Sequence, residues 1–395
     1  MTSRLLSIAL AASMAPVGLA ETKLEFKAQE LESEFGIGYA VVTGDIDGDG
    51  KTDIFAINER QAVWWQNPSW QKHVVVDGKT ERDNVCIAAE DIDRDGRLDI
   101  ALGAAWRPSD TETGGTLQWI ARDGAATAPW SVNPITSEPT IHRIRWADTD
   151  GDGKRELIVA PLHGRGTAGP KSWVGQGARL MAIRLPANPA SGRWPFETAD
   201  SSFHIVHNFW PTNFDDDAAD ELLVASYEGV HLLDRGEDGN WKKFKLGDGH
   251  VDEKIQGAGE IKLGKLKSGK RYIATVEPWH ANHIVIYEEP SDPYGPWPRR
   301  VVTDQVGGGH ALWPADLDGD GDEELVVGWR GKGKGDDFAQ PGVAVFDPGD
   351  WKYQIVDSGG MAAEDLTVAD FNEDGKIDIV ASGRATHNVK IYWQQ

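Results

Sequence analysis

Asp45-Ile46-Asp47-Gly48-Asp49-Gly50-Lys51-Thr52-Asp53 is an Asp-rich loop that runs directly into an apolar strand, Asp53-Ile-Phe-Ala-Ile57. The spacing returns at 91–99, 148–156, 316–324 and 370–378, each time with an apolar strand behind it. A period of roughly 40 to 50 residues built from short strands is the mark of a β-propeller. Aligning on the first loop position gives Asp45, Asp91, Asp148, Asn213, Lys262, Asp316 and Asp370, the fourth and fifth copies being degenerate. The spacing therefore predicts an all-β, seven-bladed propeller with four-stranded blades.

Each unit reads as strand A, the Asp loop, strand B, strand C and a strand D that opens on tryptophan. That tryptophan recurs as Trp70, Trp130, Trp194, Trp241, Trp297 and Trp351, which assigns it to core packing. Trp106, Trp173, Trp279 and Trp329 fall outside the register and are candidates for stacking on a ligand. The seventh unit stops at Trp393, after its third strand, and Lys23-Leu-Glu-Phe-Lys27 has no other place in the repeat. Pairing it beside the last blade would close the ring and cover an open edge.

Residues 1–20 combine Arg4, an apolar run at 5–12 and small residues Gly18 and Ala20, the layout of a secretory signal peptide. Residues 21–395 are then expected to form one exported propeller domain. Cys86, the one cysteine, excludes a disulfide framework and reads as a small core residue. A net charge of -23 argues against nucleic acid and acidic membranes as partners, and a monomer is expected.

Carboxylates at loop positions 1, 3, 5 and 9 are hard oxygen donors in the number that suits calcium. The expected ligands are Asp45, Asp47, Asp49 and Asp53; Asp91, Asp93, Asp95 and Asp99; Asp148, Asp150, Asp152 and Glu156; Asp316, Asp318, Asp320 and Glu324; and Asp370, Asn372, Asp374 and Asp378. Asn213, Asp215, Asp217 and Glu221 form a weakened sixth copy, whereas the fifth, from Lys262, keeps no carboxylate and is expected to be metal-free. Five calcium ions would bring the formal charge from -23 to about -13. Their role is read as structural.

The loops join strands A and B on one face, so the starts of the A strands and the B–C turns line the other. Six residues before each first loop position stand Tyr39, Val85, His142, His207, Gln256, His310 and Glu364, one per blade around the central channel. Three histidines at one structural position, with Gln and Glu, point to a site. The B–C turns add Arg107, His163, Arg165, Tyr227, Trp279, His280, Trp329, Arg330 and Arg384, and the longer turns at 107–115, 164–177 and 330–341 could wall a pocket. Cationic, histidine-rich and tryptophan-rimmed, such a pocket suits an anionic plant-type polysaccharide or oligosaccharide. β-Elimination of a 4-linked uronate needs its carboxylate neutralised, a base for the C5 proton and an acid for the departing oxygen. His142, His207 and His310 are the candidates for proton transfer or for holding an additional metal in the channel, with Tyr227 as an alternative acid. Arg107, Arg165 and Arg330 are assigned to the carboxylate, with His163, Gln256, Trp279, His280, Trp329, Glu364 and Arg384 around it.

The Asp loops resemble the FG-GAP calcium repeats of integrin-like propellers. His142-Arg-Ile-Arg-Trp-Ala-Asp148, Pro161-Leu-His-Gly-Arg165, Gly307-Gly-Gly-His310 and Gly328-Trp-Arg330 resemble the secreted seven-bladed polysaccharide lyases. Within that group the likeness is to fungal enzymes that cleave L-rhamnose-α-1,4-D-glucuronate linkages; ulvan lyases and the propeller of aldos-2-ulose dehydratase are similar in architecture. The resemblance implies a secreted carbon-oxygen lyase acting on a glucuronate glycan. A non-catalytic lectin or adhesion propeller is the alternative.

Overall fold

A computed structural model describes residues 23–167, 175–192, 194–252 and 255–395. The signal-peptide expectation and Trp173 fall outside these residues. Seven four-stranded antiparallel sheets follow one another around an axis. The innermost strands, A of blades 1 to 7, are Ala40–Gly44, Cys86–Glu90, Ile141–Ala147, Asn208–Thr212, Ile261–Lys265, Gly309–Ala315 and Ala363–Ala369. The B strands behind them are buried on both faces, Asp53–Ile57 and Glu156–Pro161 among them, which is why they read as continuous apolar runs.

The N-terminal strand Phe26–Glu32 pairs with Val389–Gln394, Phe26 opposite Gln394 and Lys27 opposite Trp393, and so supplies the outer strand of blade 7. Of the recurrent tryptophans, Trp130, Trp194, Trp297 and Trp351 are buried and Trp70 and Trp241 half-buried, all within the apolar clusters between blades. Cys86 is buried and free, and burial pushes its thiol up to about 12. Among the described residues no helix is long and apolar enough to cross a membrane.

The structure corrects the register of blade 5. Lys262 lies inside strand A, where it pairs with Ala274, and Lys265 pairs with Arg271 as the strands turn. In blade 4 the corresponding closing pair is Thr212 and Glu221. The A–B loop of blade 5 is therefore the short segment 266–270, not an eight-residue loop from Lys262. Aligned on this pairing, the residue at ring level is Glu260 and not Gln256. With no carboxylates to space out, the loop contracted and the sequence offset of four was invisible to a count made from the Asp motif.

A second feature marks the same level. In blades 3, 6 and 7 the A–B ladder carries a bulge between Ile141 and Arg143, Gly309 and Ala311, and Ala363 and Asp365. The extra residues are His142, His310 and Glu364. A bulge releases its residue from the ladder and re-aims its side chain, a device common beside active sites.

Candidate active site in the axial channel

Ring level gathers a compact cluster. His207 has its ring centroid 4.6 Å from His142, 4.2 Å from His280 and 5.1 Å from His310. His280 comes from the B–C turn of blade 5, next to Trp279, whose backbone holds a left-handed φ of 44°. All four imidazoles are buried or nearly so; His207 is 0% and His310 2% exposed.

Their partners fix the protons. Arg330 Nη2 donates to His280 Nδ1 at 2.9 Å, so the His280 proton sits on Nε2, which faces His207 Nε2. His207 must then carry its proton on Nδ1, which lies 3.2 Å from Glu260 Oε1 in a close but oblique contact. Glu260 is 3% exposed and also takes Arg143 at 3.3 Å and the Asn208 amide. Burial alone would raise Glu260, but bonding to His207 and the Arg143 charge win and hold it at about 2. The result is a directed relay from Arg330 to His280 to His207, closed onto Glu260 by charge and not by an aligned hydrogen bond. His310 donates from Nδ1 to the Glu364 carbonyl at 2.5 Å, which leaves its Nε2 with a lone pair, 3.8 Å from Glu364 Oε1. His142 donates from Nδ1 to the His207 carbonyl at 2.8 Å, its Nε2 lies 3.3 Å from Arg143, and its ring stacks on Trp106 at 4.9 Å.

Burial first, and then nearby guanidinium groups for His142 and His310 and the His207 ring for His280, holds all three well below the usual imidazole range. Burial also lowers His207, with Glu260 opposing. These histidines are neutral near pH 7, as bases or metal ligands must be. Glu364 anchors the cations: its carboxylate takes Arg330 at 2.7 Å and Arg384 at 2.8 Å, and Arg384 lies over the Tyr39 ring at 5.3 Å.

Of the residues singled out from sequence, the structure thus brings together His142, His207, His280, His310, Trp279, Arg330, Glu364 and Arg384. Others lie apart from them. Arg107 bonds Thr113 of its own turn at 3.0 Å and Glu81, from the segment that leads into strand A of the same blade, at 3.3 Å. Arg165 reaches Glu138 and, with Thr111 and Thr167, ties the blade 2 and blade 3 turns together. The His163 carbonyl accepts from Thr140, and Gln256 donates to the Tyr227 carbonyl at 3.4 Å, at the rim. Trp329 was expected to cover a sugar face, and the structure corrects this: it is 0% exposed, packs on Phe338 and spends its indole N–H on the Gln340 carbonyl. Glu260, Arg143 and Trp106 complete the cluster. Arg143 follows His142 directly, whereas Glu260 was hidden by the contracted loop.

Ring nitrogens of His207, His280 and His310 lie within 4.8 Å of one another, a set that fits a transition metal. Glu260 and the Glu364 carbonyl are the outer partners such ligands use. His280 differs, since its Nδ1 accepts from Arg330 and a ligand imidazole would have to give up its remaining proton or turn from that arginine.

On the opposite face, Asp45, Asp47 and Asp53 converge, as do Asp91, Asp93 and Asp95, and Asp148, Asp150 and Glu156. Asp215, Asp217 and Glu221 converge as well, so the degenerate fourth loop keeps the geometry. The ninth-position carboxylates have a second task. Asp53 accepts the Ile46 and Asn67 amides at 2.8 Å, and Glu221, Glu324 and Asp378 accept the amides of Phe214, Leu317 and Phe371. Burial pushes Asp53, Asp99 and Asp378 up to about 6 and Glu221 and Glu324 up to about 7, a cost that a divalent cation beside them would remove. The donor sets fit calcium. In blade 5 the chain supplies a cation of its own: Lys267 Nζ lies 2.7 Å from Asp320 and 2.6 Å from Asp322 of the next loop.

Comparison with known proteins adds to this geometry. Residues 114–290 match the family described as aldos-2-ulose dehydratase, beta-propeller domain, and residues 33–102 match the FG-GAP-like repeat. Aldos-2-ulose dehydratase of Phanerodontia chrysosporium is 24% identical over 379 aligned residues, covering 87% of this chain. The chain is a seven-bladed β-propeller with FG-GAP-like repeats, related at low identity to aldos-2-ulose dehydratase. It spans about 40% of that relative's length. Two solved structures share the fold. One, with a TM-score of 0.50 and 13% identity, is an Agrocybe aegerita lectin described for its recognition of non-reducing terminal N-acetylglucosamine; it covers 95% of this chain and 87% of its own. The other is BBS1N from its complex with ARL6DN, with a TM-score of 0.53, 12% identity and coverage of 94% and 97%.

Proposed function

We propose that this protein is a secreted carbohydrate-active lyase that breaks a carbon–oxygen bond by β-elimination, with a 4-linked glucuronate, capped by rhamnose, as substrate. The observation that carries the reading is the neutral, partner-fixed histidine cluster set against two guanidinium groups that share Glu364. In the forward reaction His310 Nε2, with its free lone pair, removes the C5 proton. The C4–O bond breaks, a C4=C5 double bond forms, and the departing oxygen takes its proton from the imidazolium that His310 has become, which returns His310 to its neutral form. Arg384 and Arg330 face the carboxylate and stabilise the charge that develops on it. His280 keeps its Nε2 proton on His207 and accepts from Arg330 on Nδ1, which holds that guanidinium in place. The relation to a dehydratase favours the same chemistry with water as the leaving group, and this is the second reading. A metal held by His207, His280 and His310 would occupy the His310 lone pair, so it would replace this proton path and supply polarisation of the substrate's oxygens instead.

The same reading places structural calcium in the five Asp loops, a monomer in solution, and no nucleic acid or membrane among the partners. His310→Ala tests it. The variant is expected to keep its fold and to lose the ultraviolet absorbance of an unsaturated uronate on glucuronate-containing gums. Near-normal turnover by the variant overturns the assignment of the base. A wild-type protein that binds the glycan without producing any unsaturated product points to the lectin alternative.

A further inference from the structure

The channel does not end at the histidines. Beyond Arg143, toward the Asp-loop face, lies a cavity of about 470 Å³, lined by the lower halves of the A strands and reaching Arg155 and Asp220. Two cations project into it without protein partners. Lys262 is 3% exposed and makes no hydrogen bond or ion pair among the described residues; its ammonium rests 4.0 Å from the Trp210 ring and 5.2 Å from Trp313. Arg145 likewise has no polar partner among them and lies over Phe209 and Trp210 at 5.3 and 5.2 Å.

The local charges do not balance. Arg143, Arg145 and Lys262 face Glu260 and Asp365, and Glu260 is already committed to Arg143, His207 and Asn208. Asp365 accepts the Val41 amide at 3.0 Å and its neighbour's amide at 3.1 Å, and forms no ion pair with Lys262. Glu260 and Asp365 act on the Lys262 ammonium only from beyond ion-pair distance, so sequestering it is costly and the fold gains no bond from it. Cation–π contact with Trp210 and Trp313 offsets part of that cost and holds the Lys262 ammonium at the cavity wall. Burial first, then the charge of Arg145, lowers Lys262 to about 7. An anion in the cavity would restore its full charge. The remaining wall is mixed: Val42, Ala88 and Val368 offer a carbon skeleton an apolar surface beside the two cations, and Thr43 and Thr367 offer hydroxyls.

We infer that this lower cavity is a second ligand site, taking the carboxylate of a small organic acid between Arg145 and Lys262 from the Asp-loop face. The planar guanidinium matches a carboxylate in two-point contact, and the lysine adds a point charge. The site is separated from the histidine cluster by Arg143 and does not rest on the lyase reading.

Calorimetry on the full chain tests it, with D-glucuronate, inorganic sulfate and D-glucose as probes, and with Arg384→Met as a background that weakens carboxylate binding at the upper site, where Arg330 remains. The expected result is saturable glucuronate binding that persists in Arg384→Met, quenches tryptophan fluorescence through Trp210 and Trp313, and is absent for glucose. Adding Lys262→Met should weaken it by about tenfold or more, the loss of one charge-assisted contact, and Arg145→Met should do the same. Lys262→Arg, which keeps the charge, serves if Lys262→Met fails to fold; it should retain binding. Absence of binding in the Arg384→Met background, or undiminished binding in both folded methionine variants, overturns the site. Sulfate binding as tight as glucuronate overturns the assignment to an organic carboxylate.

Discussion

Replacing Glu260 by Gln removes one charge and adds two N–H donors where three donors already converge. Arg143, at 3.3 Å and 9% exposed, loses its counter-charge, and His207 Nδ1, at 3.2 Å, loses the acceptor that fixes its tautomer. Leaving one member of a buried ion pair uncompensated costs about 3 to 5 kcal/mol. At about 2.1 cal/mol/K per residue, some 370 ordered residues unfold with an entropy of about 0.8 kcal/mol/K, so the melting temperature should fall by about 4 to 6 °C. Scanning calorimetry measures that fall. Nitrogen NMR of the His207 ring reports the second effect, a proton on Nδ1 in the native protein and a mixture of tautomers in the variant. Adding Arg143→Met should recover part of the lost stability, because the stranded charge goes with it. A Glu260→Gln protein with unchanged melting temperature and an unchanged His207 tautomer would falsify the relay.

Three further outcomes are expected. Excess chelator should lower the melting temperature markedly, and a calcium titration should restore it; an unmoved transition would remove calcium from the Asp loops. Deleting residues 23–32 strips the outer strand from blade 7 and bares the edge of Val389–Gln394, so the truncated chain should melt lower and associate, as light scattering would show. In excess calcium, acidification should destabilise the fold from below about pH 6.5, because burial lowers His231 to about 4 and His163 to about 3 and the unfolded chain takes up their protons first. Glu260, held at about 2, adds a further loss between about pH 4.5 and 2. Without calcium the raised ninth-position carboxyls shift stability the other way, so a melting temperature that climbs from pH 7 to pH 5 in excess calcium refutes the histidine contribution.

The propeller was legible because its loops carry their own ruler. Asp45 and its counterparts mark strand ends with carboxylates, and Trp130 and its counterparts mark the D strands, so blade number and ring closure follow from spacing. The ring histidines followed from the same count. It failed at blade 5, where the marker carboxylates are gone and the loop is shorter; only the pairing of Lys265 with Arg271 locates Glu260. Trp329 misled for another reason. Position in a turn does not reveal burial, and the 330–341 segment folds back over that indole. The sequence assigns Arg107 and Arg165 to a substrate carboxylate, yet Glu81 and Glu138, distant in the count, are within their reach.

The bulges at His142, His310 and Glu364 have a meaning for how such a site could change over time. A residue outside the ladder does not set the register of its neighbours, so its side chain can be exchanged without moving the strand that carries it. Three of the seven ring positions are therefore uncoupled from the scaffold that presents them. A library that varied these three residues together would sample new chemistries on a frame whose hydrogen-bond pattern stays as it is.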